Sequence, residues 1–129
     1  MKKALLVITG VLMFLGGVAH WWIGLPALRA ELAAAHAPEK LWAGATAVWT
    51  FTSGAMLTFA VMVITAGLRA GKRNGADALV RWIALFYVIF GVCAFVAIHR
   101  DAHFLAFIVL GLLAGIATFL PSQPKSANA

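Results

Sequence analysis

The side chains best suited to chemistry in this chain are four histidines, His20, His36, His99 and His103. Imidazole is the commonest nitrogen ligand of transition metals and of haem iron, and it exchanges protons near neutral pH. His99 and His103 are four positions apart, a spacing that on one continuous helix sets both rings on one face. An aspartate between them, Asp101, is a natural helix N-cap, so the two are expected as neighbours across a tight turn. His20 falls between Gly16 and Gly24 at a four-residue spacing, which predicts a ring facing protein rather than lipid. His20, His99 and His103 are thus the candidate metal or haem ligands. Glu31, Glu39 and Asp101 are candidates to orient them from outside. Each imidazole also has a plainer use. His99 complements a helix dipole, His103 sits at an interface, His36 is solvated, and His20 bonds a backbone carbonyl or a threonine across the bundle. No nucleophile–base pair has a recognisable spacing, and Ser53 stands in a span without a local motif. There is no phosphate-binding loop, dinucleotide fingerprint or CxxCH, so the sequence names neither a reaction nor a cofactor.

The elements that must position these groups follow from composition. Of 129 residues, 64% are apolar and only 11% charged, against about 25% charged in an ordinary soluble domain. A chain this short cannot hide so much apolar surface from water. An ordinary soluble domain, a disordered chain and a disulfide scaffold are excluded. The single cysteine, Cys93, lies within an apolar run and offers no internal bridge. The expected class is all-α: a polytopic membrane protein with four transmembrane helices in an antiparallel bundle. The spans are read at 4–25, 41–68, 79–98 and 104–120, each close to the length needed to cross lipid. They form one domain, 1–120, followed by a disordered polar tail, 121–129. The apolar run after Met1-Lys2-Lys3 resembles a secretory signal, but it continues to Leu25 and is read as an uncleaved first span.

The connections carry their own signals. Asp77 is placed to cap the third span after the Gly71–Gly75 break. Between spans one and two, a short interfacial helix is expected to start at Pro26 and stop before Pro38, with Trp21, Trp22 and Trp42 at the membrane boundary. Net charge is +6, yet the basic residues cluster in short segments between spans, which fits an orientation signal and not nucleic-acid binding. Lys2, Lys3, Arg69, Lys72, Arg73, Arg81 and Lys125 fall on one side and only Arg29, Lys40 and Arg100 on the other. That places both termini in the cytoplasm of an inner (plasma) membrane protein, and every histidine toward the outer face.

Helix association in lipid relies on small residues and interhelical hydrogen bonds. Two stripes are expected to face other helices: Gly16, His20 and Gly24 in the first span, and Thr46, Thr50, Gly54 and Thr58 in the second. Gly111 and Gly115 make a GxxxG that serves either the bundle or a homodimer. The candidate ligand-binding set is His20, Trp21, Thr46, Trp49, Thr50 and His99. No Asp, Glu or Lys lies inside a span, which argues against ion-coupled transport.

Gly10, Gly16-Gly17-Val18-Ala19-His20 and Trp49-Thr50-Phe51-Thr52-Ser53-Gly54 resemble small bacterial four-helix membrane proteins of DoxX-like layout. The resemblance covers spans one and two and implies an all-helical inner-membrane protein, with no catalytic residue to transfer. Three functions are expected in order. The first is an accessory subunit, with a membrane-protein partner or a second copy, or a binder of a lipid, quinone or other apolar molecule. The second is a histidine-ligated metal or haem redox protein at the outer face. The third is a small oligomeric transporter.

Overall fold

The computed structural model describes residues 1–70, 76–98 and 101–121. The expected disordered tail beyond 121 lies outside the described residues, as does His99. Helix α1 spans Lys2–Ala19 and passes through a π-helical turn, His20–Gly24, into α2, Leu25–Ala34. Helix α3 spans Glu39–Leu68, α4 spans Ala76–Ala97, and a short 3-10 turn at Ala102–Phe104 leads into α5, Leu105–Phe119. Runs of Leu, Ala, Ile and Phe make these helices, and no strand interrupts them among the described residues.

The segment after Pro26 is helical and stops before Pro38, but it is not a separate helix. The backbone stays helical through Gly24 (φ −69°, ψ −39°) and Leu25 (φ −64°, ψ −44°), so the expected interfacial helix is the continuation of α1. Pro26 has no N–H for the helical ladder, and its ring crowds the carbonyl one turn back. Widening the preceding turn to π geometry accommodates that ring without breaking the helix. The end of α2 is sharp. Ala37 donates to the Leu32 carbonyl (3.0 Å) and His36 to the Ala33 carbonyl (3.1 Å), with His36 left-handed at φ 49°. This is the hydrogen-bond pattern of a Schellman stop, made with histidine where glycine is usual. Asp77 is not the cap of α4, because the helix already includes Ala76; it stands in the first turn, where a carboxylate still suits the helix dipole. Asp101 does cap: it accepts from the His103 amide at 3.1 Å.

The helices pack chiefly as two pairs, α1 with α3 and α4 with α5, with α1 also against α5. Glycines permit the approach. A Cβ on Gly10 would stand 2.6 Å from Ile64 Cγ1 and 2.9 Å from its amide nitrogen, and one on Gly111 would stand 2.8 Å from the Ala84 carbonyl oxygen. Gly111 of the GxxxG is therefore used inside the molecule. On α3 the contact face differs from the expected one. Gly54 is in open space, and Thr58 is exposed and bonds its own Gly54 carbonyl at 2.9 Å. Ser53, Ala60 and Gly67 are buried instead. Their seven-residue spacing matches that of Gly10, Gly17 and Gly24 on α1, the period of a helix–helix seam.

At the opposite end from the histidines, Lys2 is buried and donates to Asp77 Oδ2 (2.6 Å) and the Thr118 carbonyl (3.3 Å). Arg81 Nε donates to Thr118 Oγ1 (3.1 Å) and its guanidinium lies over Phe119 (4.5 Å). One charged network thus ties the start of α1 to α4 and α5. The core between the pairs holds Leu6, Met13, Val63, Val80 and Tyr87. Outside it, Trp22, Phe51, Trp82 and Phe119 are each 70–78% exposed. Four helices, Lys2–Ala34, Glu39–Leu68, Asp77–Ala97 and Ala102–Phe119, are long and apolar enough to cross a membrane.

The glycine seam makes a paired prediction. Gly10→Ala should destabilise the protein by about 1–3 kcal/mol, because backbone as well as side chain must move. Gly16→Ala, where a Cβ meets nothing within 4 Å, should be near neutral. Denaturant titration of both variants in detergent against the parent measures the difference.

Candidate functional site

Three side chains form a knot where α1 becomes the π-turn. The His20 ring lies flat on the Trp49 indole, centroids 4.2 Å apart and planes within 8°. Trp49 Nε1 donates to the His20 carbonyl oxygen (2.8 Å). His20 Nδ1 and Ser53 Oγ are 2.8 Å apart, and Ser53 Oγ is also 2.9 Å from the Trp49 carbonyl oxygen. The local sequence explains each part. Ser53 is one turn after Trp49, so its hydroxyl reaches the Trp49 carbonyl. Gly24 lets the indole lie against the backbone, since a Cβ there would meet Trp49 Cζ2 at 2.5 Å.

One proton arrangement makes both short contacts of Ser53 Oγ hydrogen bonds: the Trp49 carbonyl cannot donate, so the single hydroxyl proton goes to it. Ser53 Oγ then accepts from His20 Nδ1–H, and in the neutral ring Nε2 is left as an acceptor. Ser53 is fully buried.

His20 and Trp49 line a cavity of about 540 Å³ between the helix pairs. Met13, Ile23, Leu28, Met56, Phe107 and Leu110 give it an apolar wall, with Glu31, Tyr87 and His103 as further polar side chains. Tyr87 is buried to 1% exposure and its hydroxyl has no hydrogen-bond partner. Met56, Tyr87 and Phe107 also line a second cavity of about 90 Å³, so these three form the partition between the two. His103 Nδ1 is 2.9 Å from Asp101 Oδ1. The His103 backbone amide and then its ring hold the Asp101 carboxyl below the usual carboxylate range. That cap is present at neutral pH and is lost only as the pH falls through the lowered value.

Of the sequence-derived ligand set, His20 and Trp49 line the cavity; Trp21, Thr46 and Thr50 do not, and His99 lies outside the described residues. Trp21 is exposed, and the Thr46 hydroxyl is enclosed without a partner. Of the metal set, His20 and His103 share the cavity, but each has Nδ1 engaged, by Ser53 and Asp101 respectively. Among the described residues no group of three or more His, Cys, Asp or Glu could hold a metal ion. The bond from His20 goes to Ser53 rather than to a threonine. Tyr87 and Met56 escaped sequence reasoning, although Tyr87 is the chain's single tyrosine and a polar tip inside an apolar span is itself a signal.

No protein-family model, curated protein or solved structure matches the chain.

The knot predicts graded losses. Trp49→Phe keeps an aromatic face for His20 but deletes the indole donor, and should cost about 1 kcal/mol of stability. Trp49→Ala also removes the stacked surface and should cost about 3 kcal/mol. Unfolding curves in detergent, followed by circular dichroism, measure both.

Proposed function

We propose that this chain is a multi-pass protein of a bacterial inner membrane that binds an apolar small molecule, of the lipid or quinone kind, within the helix bundle. The observation that carries the reading is the cavity of about 540 Å³, a size typical of small-molecule sites. Its wall is apolar, its imidazole is fixed, and a tyrosine hydroxyl beside it has no partner. A bound molecule would fill apolar space that is otherwise costly to keep open. The weaker contact between the two helix pairs leaves room for such a guest.

The membrane setting accounts for the outward Trp, Phe, Ile and Leu side chains, which water would penalise and lipid would not. In that setting the four helices form an antiparallel bundle. The basic residues then place both termini and the connection between α3 and α4 in the cytoplasm. The cavity lies in the outer half of the membrane. The 33 residues of α1 and α2 reach about 50 Å at 1.5 Å per residue, longer than the roughly 30 Å hydrocarbon core. The end of α2, with Arg29 and Glu31, extends past the lipid on the outer side, where Arg29 lies 5.8 Å over the Trp42 ring.

N-phenylnaphthylamine, whose emission rises in apolar surroundings, tests the binding reading in nanodiscs. The parent should show saturable binding beyond that of empty nanodiscs. Leu110→Trp, which fills the cavity, should weaken it about tenfold or more with helicity unchanged. Binding that is equal in the two proteins, or absent from both, overturns the reading. Orientation is checked separately in a Cys93→Ala background. Arg29→Cys should react with an impermeant thiol reagent from outside intact cells, and Arg69→Cys only after lysis.

A further inference from the structure

The hydrogen bonds around His20 say what kind of polar group the cavity takes. Ser53 is buried, and with both of its short contacts made as hydrogen bonds its proton goes to the Trp49 carbonyl and its oxygen accepts from His20 Nδ1–H. The ring cannot turn to exchange its nitrogens without leaving Ser53, and the parallel indole face of Trp49 opposes any tilt. Neutral His20 therefore carries a bare Nε2, an acceptor with no proton to give. An apolar wall surrounds it, where an unpaired or mismatched polar group is costly.

Building on the small-molecule reading above, we infer that the cavity selects a hydroxyl-bearing apolar molecule, a phenol, quinol or comparable alcohol, over the same skeleton carrying only acceptor oxygens, such as the oxidised quinone. The ligand hydroxyl donates to His20 Nε2. An ether or carbonyl oxygen at that place sets lone pair against lone pair. Phe107 and the thioethers of Met13 and Met56 in the wall suit a flat ring on the rest of the ligand. The unpartnered Tyr87 hydroxyl is independent support for a polar ligand atom nearby, since a buried hydroxyl is normally paired. Ser53 is a positioning residue: it touches no ligand and acts by fixing which imidazole nitrogen is bare.

Two probes of one shape test this, para-hydroxybiphenyl and para-methoxybiphenyl. Each is titrated into the full chain in nanodiscs, with affinities corrected for partition into empty nanodiscs. The hydroxyl probe should bind about tenfold or more tighter, the factor expected when an acceptor is left facing an acceptor. His20→Phe keeps a ring against Trp49 and should bring the two affinities within about twofold. Ser53→Ala frees the tautomer and should shrink the preference likewise, while Ser53→Thr, which keeps a hydroxyl, should retain it. The ratio of the two affinities does not depend on how much of a variant is folded. Equal binding of both probes by the parent overturns the selectivity and leaves the small-molecule reading standing; binding of neither overturns both. Nitrogen-15 spectra of the histidine ring give a second measurement. The resonances lost in His20→Phe should show a protonated Nδ1 and a bare Nε2 in the parent, and the opposite pattern overturns the inference.

Discussion

Where Gly24 meets the indole of Trp49, the π-helical turn that follows α1 stands so close to α3 that one added methyl would not fit. That approach sets the depth at which Trp49 enters the α1 backbone and so brings its Nε1 to the His20 carbonyl. It also brings Ser53 opposite the His20 ring. The same seam continues through Gly17 against Leu57 and Gly10 against Ile64, so the register between the helices is fixed along most of their length. Proline supplies the complementary local feature. By widening the turn ahead of Pro26, it alters the ladder at the level where the indole donates. Sharp changes in helical ladders recur at functional sites for this reason.

Several polar groups in this molecule are settled inside it. Thr52, Thr58 and Thr65 each bond the carbonyl one turn back. Lys2 is neutralised by Asp77 rather than left bare in the core. Against that thrift, the enclosed hydroxyls of Thr9, Thr46 and Tyr87 have no partner. Thr9 and Thr46 have short side chains, Thr9 fully buried in α1 and Thr46 half-buried on α3. Tyr87 differs, because it stands between two cavities and carries its hydroxyl at the end of a large rigid ring. The combination of a held imidazole, an unpartnered hydroxyl and an apolar space is what separates this end of the bundle from ordinary packing.

Much of the fold was legible in the chain. Apolar runs of span length, the cap at Asp101 and the stop before Pro38 each rest on local physics, while the expected break at Gly71–Gly75 lies outside the described residues. A helix must satisfy its own backbone, and short-range residues decide where it can begin and end. The same reasoning misplaced the start of the second helical segment. Proline usually opens a helix, but it is tolerated inside one when the preceding turn can widen, and nothing in composition distinguishes the two.

The site was legible in part. His20 and Trp49 stand out by type, and both line the cavity. Ser53 was passed over because it lacks a motif, and Thr46, Thr50, Gly54 and Thr58 were read as the contact face because they repeat every four residues. The seam instead follows a seven-residue period, carried by Gly10, Gly17 and Gly24 on one side and by Ser53, Ala60 and Gly67 on the other. By itself the sequence determined that the chain is helical, apolar over four long stretches, and asymmetric in its charge, because these are sums over local residues. Tertiary structure alone decided which face of α3 meets α1, which side chain the His20 ring meets and where space remains. Those depend on the register of one helix against another, and a shift of one residue turns each side chain about a third of the way round its axis.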